Sequence, residues 1–190
     1  MKKLFVCMSL FITSMLAYGQ SYSKFFLPDE NPFPMLQGVT TYNYRFDYSK
    51  MKIEHLDAKE FIFGYVYNNE DDAEIAFKKF TKRIENKFIV GVNKEIIKKC
   101  KLDNSEDLPF EVVIFFTTVD EDGGHKIIGE VRDKKNNQLL TEFKAGAGGG
   151  KMNSFEILFY EELEKSSKKF ASMFKSMVFD VANAKMYRGK

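Results

Sequence analysis

The chain has 190 residues, 44% of them hydrophobic, with 29 basic against 27 acidic side chains. Lys2 and Lys3 fall in a leader that export would remove, so the 27 remaining bases balance the 27 acids, and no net basic field supports a general affinity for nucleic acid or anionic membrane. The remainder fits one domain of ordinary size; its Phe and Tyr content (20 and 9 in the whole chain) favours an aromatic core, and Cys100, left without Cys7, can form no internal disulfide.

Residues 1–19, MKKLFVCMSLFITSMLAYG, place two lysines before an uncharged apolar run, Leu4 to Leu16, and end on the small-residue pattern Ala17-Tyr18-Gly19. That order is expected of a secretory signal peptide cut between Gly19 and Gln20. The run is shorter than the roughly 20 residues a membrane span needs, and Val6 is not the small residue expected before a lipid-bearing cysteine. The mature chain is therefore expected in the periplasm or outside the cell, with no transmembrane segment.

Residues 20–37 hold three of the four prolines among Phe25, Phe26, Leu27, Phe33, Met35 and Leu36. Proline restricts its own φ and its predecessor, so the segment reads as an extended arm lying on the domain's own core or on a partner. The domain proper is expected over 38–178. Val39 to Tyr48 alternates Tyr42, Tyr44, Phe46 and Tyr48 with Thr41, Asn43, Arg45 and Asp47, the period of a half-buried strand. A second strand is expected over Glu60 to Tyr67. Asn69 to Asp72 then supplies capping acids for a helix from about Asp71 to Phe88, with Ala73, Phe77, Phe80, Ile84 and Phe88 inside. Its face of Lys78, Lys79, Lys82, Arg83 and Lys87, interspersed with Glu74 and Glu85, reads as solvated.

A short helical piece is expected around Asn93 to Cys100, then a polar loop through Pro109. Glu111–Val119, Lys126–Asp133 and Gln138–Lys144 form an antiparallel meander joined by Asp120–Gly124 and Lys134–Asn137, turns rich in residues that tolerate left-handed backbone. The last helix runs from about Ser154 into the high 170s, capped by Asn153 with Glu156 reaching back. Phe155, Leu158 or Phe159, Leu163, Phe170, Phe174 and Met177 make its apolar stripe. Glu161, Glu162, Glu164, Lys165, Lys168 and Lys169 face water, with Glu161–Lys165 and Glu164–Lys168 as four-residue pairs. Residues 179–190 read as a loosely held tail.

The run AGAGGGKMNSF, residues 145–155, nearly matches a phosphate-binding loop, but Ala145 stands where the first glycine belongs and Met152 where a magnesium-binding hydroxyl belongs. It reads instead as a joint in which Gly148, Gly149, Gly150, Lys151, Asn153 and Ser154 are candidate contacts for an anion or a partner's carboxylate, because amides at a helix start attract negative charge. Asp120-Glu121-Asp122 lacks the later bidentate glutamate of a calcium loop. His55 and His125 fall outside any ligand spacing, and no nucleophile sits in a recognisable context. No catalytic residue, metal or cofactor is assigned.

The segment 110–178, with VDEDGGHKIIGEVRD, QLLTEFKAGAGGG and NSFEILFYEELEKSSKKFASMF in succession, resembles uncharacterised exported bacterial proteins of the Bacteroides type. Its layout is similar to the small α/β domains of envelope lipoproteins, such as the amino-terminal domain of TolB and the curli export lipoprotein. The resemblance implies a place in the cell envelope and defines no functional residues. The expected fold is α+β: an antiparallel or mixed sheet of about five strands with two main helices on one face. The expected function is non-enzymatic, through contact with an envelope protein, the alternative being a small-ligand or anion binder, or an enzyme, with its site at the glycine loop.

Overall fold

The structure, a computed structural model, describes residues 33–36, 38–69, 71–151 and 153–179. The expected signal peptide, most of the arm and the tail beyond Phe179 lie outside them. What is described is the expected α+β fold. In chain order it comprises α1 (Phe33–Leu36), β1 (Thr41–Asp47), β2 (Lys52–Ile53), β3 (Leu56–Asp57), α2 (Ala58–Phe61), a π-helical turn (Ile62–Val66), α3 (Ala73–Ile96), β4 (Lys101–Asp103), β5 (Phe110–Val119), β6 (His125–Asp133), β7 (Gln138–Ala147) and α4 (Phe155–Phe179).

The seven strands form one mixed sheet centred on β5. β6 pairs antiparallel with β5 along almost its whole length and β7 pairs antiparallel with β6, giving the expected meander. The other edge of β5 is shared in succession: β1 runs parallel to its first half, with Asn43 opposite Glu111, and β2 runs parallel to its end, with Ile53 opposite Val119. β4 adds outside β1, also parallel.

Both long helices cover one face, as the alternation in β1 requires. Phe46 of β1 and Phe116 of β5 meet Phe88 of α3 at ring distances of 5.9 and 5.8 Å. Tyr42 and Phe143 meet Phe174 and Phe170 of α4 at 5.2 and 4.7 Å. The other face carries a charged ladder, with Arg45 3.4 Å from Glu111 and Arg132 2.7 Å from Glu130. Val113 and Phe115 lie beneath it, and Lys50 sits 5.3 Å above the Phe115 ring.

Several local expectations need correction. Phe33–Leu36 is a helical turn, not extended chain, and Leu36 is buried in the core; Pro34 is tolerated because it lies in the first turn, where its missing N–H has no partner to lose. Glu60–Tyr67 is not a strand. Asp57 caps α2 by accepting from the Lys59 N–H at 2.9 Å, and the apolar run continues into the π turn, closed by Tyr67 N–H donating to Ile62 O at 2.9 Å. A short apolar run has no periodicity to separate strand from helix, and here a helical spacing stacks Phe61 on Tyr65.

α3 absorbs the separate piece expected at 93–100, because Ala76, Phe80, Ile84, Phe88, Val92 and Ile96 continue one buried row. Asp72 caps it, accepting from Glu74 and Ile75 N–H at 2.7 and 3.2 Å. Part of the expected polar loop is β4, fastened where Asn93 accepts from Leu102 N–H at 2.7 Å and donates to Leu102 O at 2.8 Å. β7 extends through Ala147, so the glycine run begins inside the sheet.

The charged helix faces are less uniformly wet than expected. Arg83 pairs with Glu156 and lies 4.4 Å over the Tyr160 ring, so Glu156 joins the two helices instead of reaching back to Asn153. Glu162 is buried and pairs with Lys165, taking that lysine from Glu161; Glu164–Lys168 forms as expected at 2.9 Å. Burial also pushes the Glu85 carboxyl upward, against the opposing pull of its hydrogen bond with Tyr48.

Candidate functional site

Three irregular segments meet beyond the ends of β5 and β7. The first is the two-residue turn between β2 and β3, where Glu54 adopts φ +53°, a left-handed conformation uncommon outside glycine. Its N–H donates to Val119 O at 2.8 Å and its Oε1 accepts from Glu121 N–H at 2.7 Å, which ties this turn to the end of β5. The second is the turn Asp120–Gly124, closed by Asp120 N–H donating to Gly124 O at 2.7 Å and Gly123 N–H donating to Asp120 O at 2.9 Å. Gly123 has φ +83°, and a Cβ there would stand 2.5 Å from the Phe159 backbone nitrogen, so the turn lies directly on α4.

The third segment is the glycine run. Gly150 N–H donates to Asp122 O at 2.9 Å. A Cβ on Gly149 would fall 1.8 Å from Asp122 Cγ, and one on Gly150 would fall 2.5 Å from Leu158 Cδ2. The glycines therefore let the loop lie flat on the acidic turn and on the first turns of α4. Of the six contacts named from sequence, Gly150 and Asn153 line the resulting groove, and Gly149 lies against Asp122. Gly148, Lys151 and Ser154 are exposed, the Ser154 carbonyl accepting from Leu158 N–H at 3.1 Å and its N–H donating to Asn153 Oδ1 at 3.3 Å.

The groove has a volume of about 620 Å³, within the range of ligand sites. Phe61, Phe155, Leu56, Leu158 and Tyr65 give it apolar walls; Phe61 stacks on Tyr65 at 4.9 Å and meets Phe155 at 5.0 Å. Tyr65 is 70% exposed, unusual for a large aromatic residue, because the π turn carries it off the core. Glu54, Glu121 and Asp122 supply three carboxylates, and no basic side chain among the described residues lines the groove. Among the described residues these three acids enter no ion pair, nor does the Glu121 carboxylate accept a hydrogen bond. The same residues contain no His, Cys, Asp or Glu cluster arranged to hold a metal ion.

Sequence reasoning misses Glu54, Leu56, Phe61 and Tyr65 as site residues, because the apolar run at Glu60–Tyr67 reads as a strand and residues 49–59 carry no periodic pattern. The available signal was Leu56-Asp57-Ala58-Lys59, in which an aspartate precedes a good helix former and can cap it.

It also missed a buried pair. His125 Nε2 lies 2.7 Å from Ser166 Oγ, and Nδ1 lies 2.9 Å from Gly123 O. The carbonyl can only accept, so Nδ1 carries the proton and Nε2 accepts from the serine. The pair resembles a nucleophile and its base, yet Ser166 and His125 are 0% and 3% exposed, so it serves as an internal tie from the acidic turn to α4. Burial holds the imidazole pKa below its usual value, against a hydrogen bond to Gly123 and the charges of Glu162 and Asp120.

No protein-family model and no curated protein matches the chain. Among solved structures it is similar to PelC from Paraburkholderia phytofirmans, described as a dodecamer, at 9% identity and a TM-score of 0.37, covering 68% of this chain and 87% of that one. It is also similar to a Xanthomonas campestris protein of the family model DUF330, at 7% identity and a TM-score of 0.36, covering 55% of this chain and 65% of that one. At this similarity neither match bears on function. Among the described residues no helix is long and apolar enough to cross a membrane.

Proposed function

We propose that this is an exported cell-envelope protein that works by non-covalent contact, and that the contact is made at the groove between the π turn, the acidic turn and the start of α4. The carrying observation is its lining: three carboxylates, apolar and aromatic walls, an exposed tyrosine and, among the described residues, no base. Such a site suits a positively charged group borne on an apolar stem, a lysine or arginine side chain next to apolar residues of a partner protein. The amides of the glycine run alone would favour an anion, but Gly150 already donates to Asp122 and the neighbouring carboxylates repel negative charge. The volume also admits a small organic cation, the alternative occupant.

The test is a titration of the protein with short peptides of equal aromatic content and opposite charge, followed by amide and Tyr65 ring chemical shifts. Binding of the basic peptide, weakened by salt and by Glu121→Lys, supports the reading. Equal response to both peptides, or none to the basic one, overturns it. Export is tested separately, by fractionating cells that express the chain with and without residues 1–19; an unchanged distribution would refute it.

A further inference from the structure

We propose that the occupant of the groove is the segment Lys185-Met186-Tyr187-Arg188-Gly189-Lys190 of a second copy, so that copies associate head to tail. This rests on the groove reading above and commits it to one partner.

The first argument is charge and shape. The segment carries three bases, no acid, and Met186 and Tyr187 between the bases. That is the complement of three carboxylates that form no ion pair among the described residues, around Phe61, Tyr65 and Phe155. Arg188 against the exposed Tyr65 ring and the Glu121 carboxylate would combine a cation–π contact with an ion pair.

The second argument is reach. The groove lies at the first turn of α4, lined by Phe155 and Leu158, whereas residues 185–190 follow the other end of that helix. A helix of 25 residues is roughly 37 Å long. Lys185 comes six residues after Phe179 and can lie at most about 22 Å from it, and Arg188 about 32 Å, even in fully extended chain. Lys190 can lie at most about 40 Å away, so only a tail stretched straight along α4 would bring Arg188 or Lys190 to the groove of its own copy, and a relaxed tail does not return there. The groove of another copy, placed end on, has no such limit. A contact that joins unlike surfaces of two identical chains is heterologous, and it closes into a ring or extends into a filament according to the rotation between copies.

The measurement is sedimentation velocity of the full chain over a range of concentration and salt, with two variants that leave the described fold alone. Glu121→Lys changes a carboxylate that has no partner among the described residues, and Arg188→Glu changes the segment. The wild-type chain should associate, more weakly as salt rises, and each variant should weaken association by about tenfold or more. An equimolar mixture of the two variants should regain association, because one supplies an intact segment for the other's intact groove, and the two reversed charges suit each other. A wild-type chain that stays monomeric, association indifferent to both changes, or a mixture that recovers nothing overturns the proposal.

A synthetic peptide of residues 184–190, added to the Arg188→Glu protein, separates this inference from the groove reading. Binding of the peptide without self-association of the wild type leaves the groove as a site for another basic partner and removes only the head-to-tail contact. Absence of peptide binding removes both.

Discussion

Where β1 and β5 begin, Tyr42 meets Phe174 edge-on at 5.2 Å, Phe110 at 6.4 Å, and Leu36, Leu102 and Val178 close the core around them. Where β5 and β7 finish, the same sheet gives way to turns, glycines and three water-facing carboxylates, and an aromatic residue projects 70% exposed. The first end is made by side chains filling space. The second is made by backbone lying on backbone, with Gly123 and Gly150 as the contacts that permit it. The difference teaches where to look for function in this chain: ring packing is concentrated under the helices, and carboxylates beside exposed aromatic surface are concentrated at the groove.

If that contrast is right, Phe116→Ala should have the largest effect. Its ring contacts Phe46, Tyr48, Phe88, His125 and Phe159, and truncating it should cost about 3–5 kcal/mol in denaturant unfolding. A loss under 1 kcal/mol would mean that the core is not the chain's main support. Gly123→Ala should follow at roughly 2–4 kcal/mol, since the new methyl meets α4 backbone and φ is +83°. Gly123→Asn tolerates the positive φ but keeps the Cβ, so it should cost as much as alanine if close packing sets the turn; a clearly smaller cost would show that conformation does.

Ser166→Ala should cost about 1–3 kcal/mol by leaving His125 Nε2 buried without a donor. The histidine also fixes a pH dependence. Its folded pKa lies below the unfolded value, so the unfolded chain binds the extra proton, and stability is fully present above about pH 6.5 and falls as pH drops toward the folded pKa. His125→Phe should flatten urea midpoints measured between pH 7.5 and 5.5; an unchanged slope would show that other groups set it. Tyr65→Ala should be the mildest, within about 0.5 kcal/mol, because its ring is mostly in water, while it weakens binding of a basic peptide. A large loss of stability there would erase the distinction between the two ends.

The legibility of the two ends differs for the same reason. The meander, the β1 alternation and the α4 stripe are periodic, and burial imposes that periodicity on the residues themselves, so they could be read in advance. The α+β class followed from them. The groove could not be read, because its walls come from five places in the chain: Glu54 and Leu56, Phe61 and Tyr65, the acidic turn, Gly150 and Asn153, and the start of α4. Gly150 and Asn153, expected as contacts for an anion or a partner's carboxylate, line the groove, but their glycine-rich sequence does not show the surrounding charge, which only contact with Asp122 reveals. The β2–β3 hairpin, with two residues per strand, is too short to leave any pattern.

β7 has ten residues and, among the described residues, pairs only with β6. A long strand with one bare edge is a template on which another chain can add and start a fibril. Here the register slips near Arg132, Glu142 and Lys144 put charges along the strand, and its last residues pass into glycine, which holds extended backbone poorly. The same glycine run that lets the groove form therefore also blunts the sheet's most aggregation-prone border.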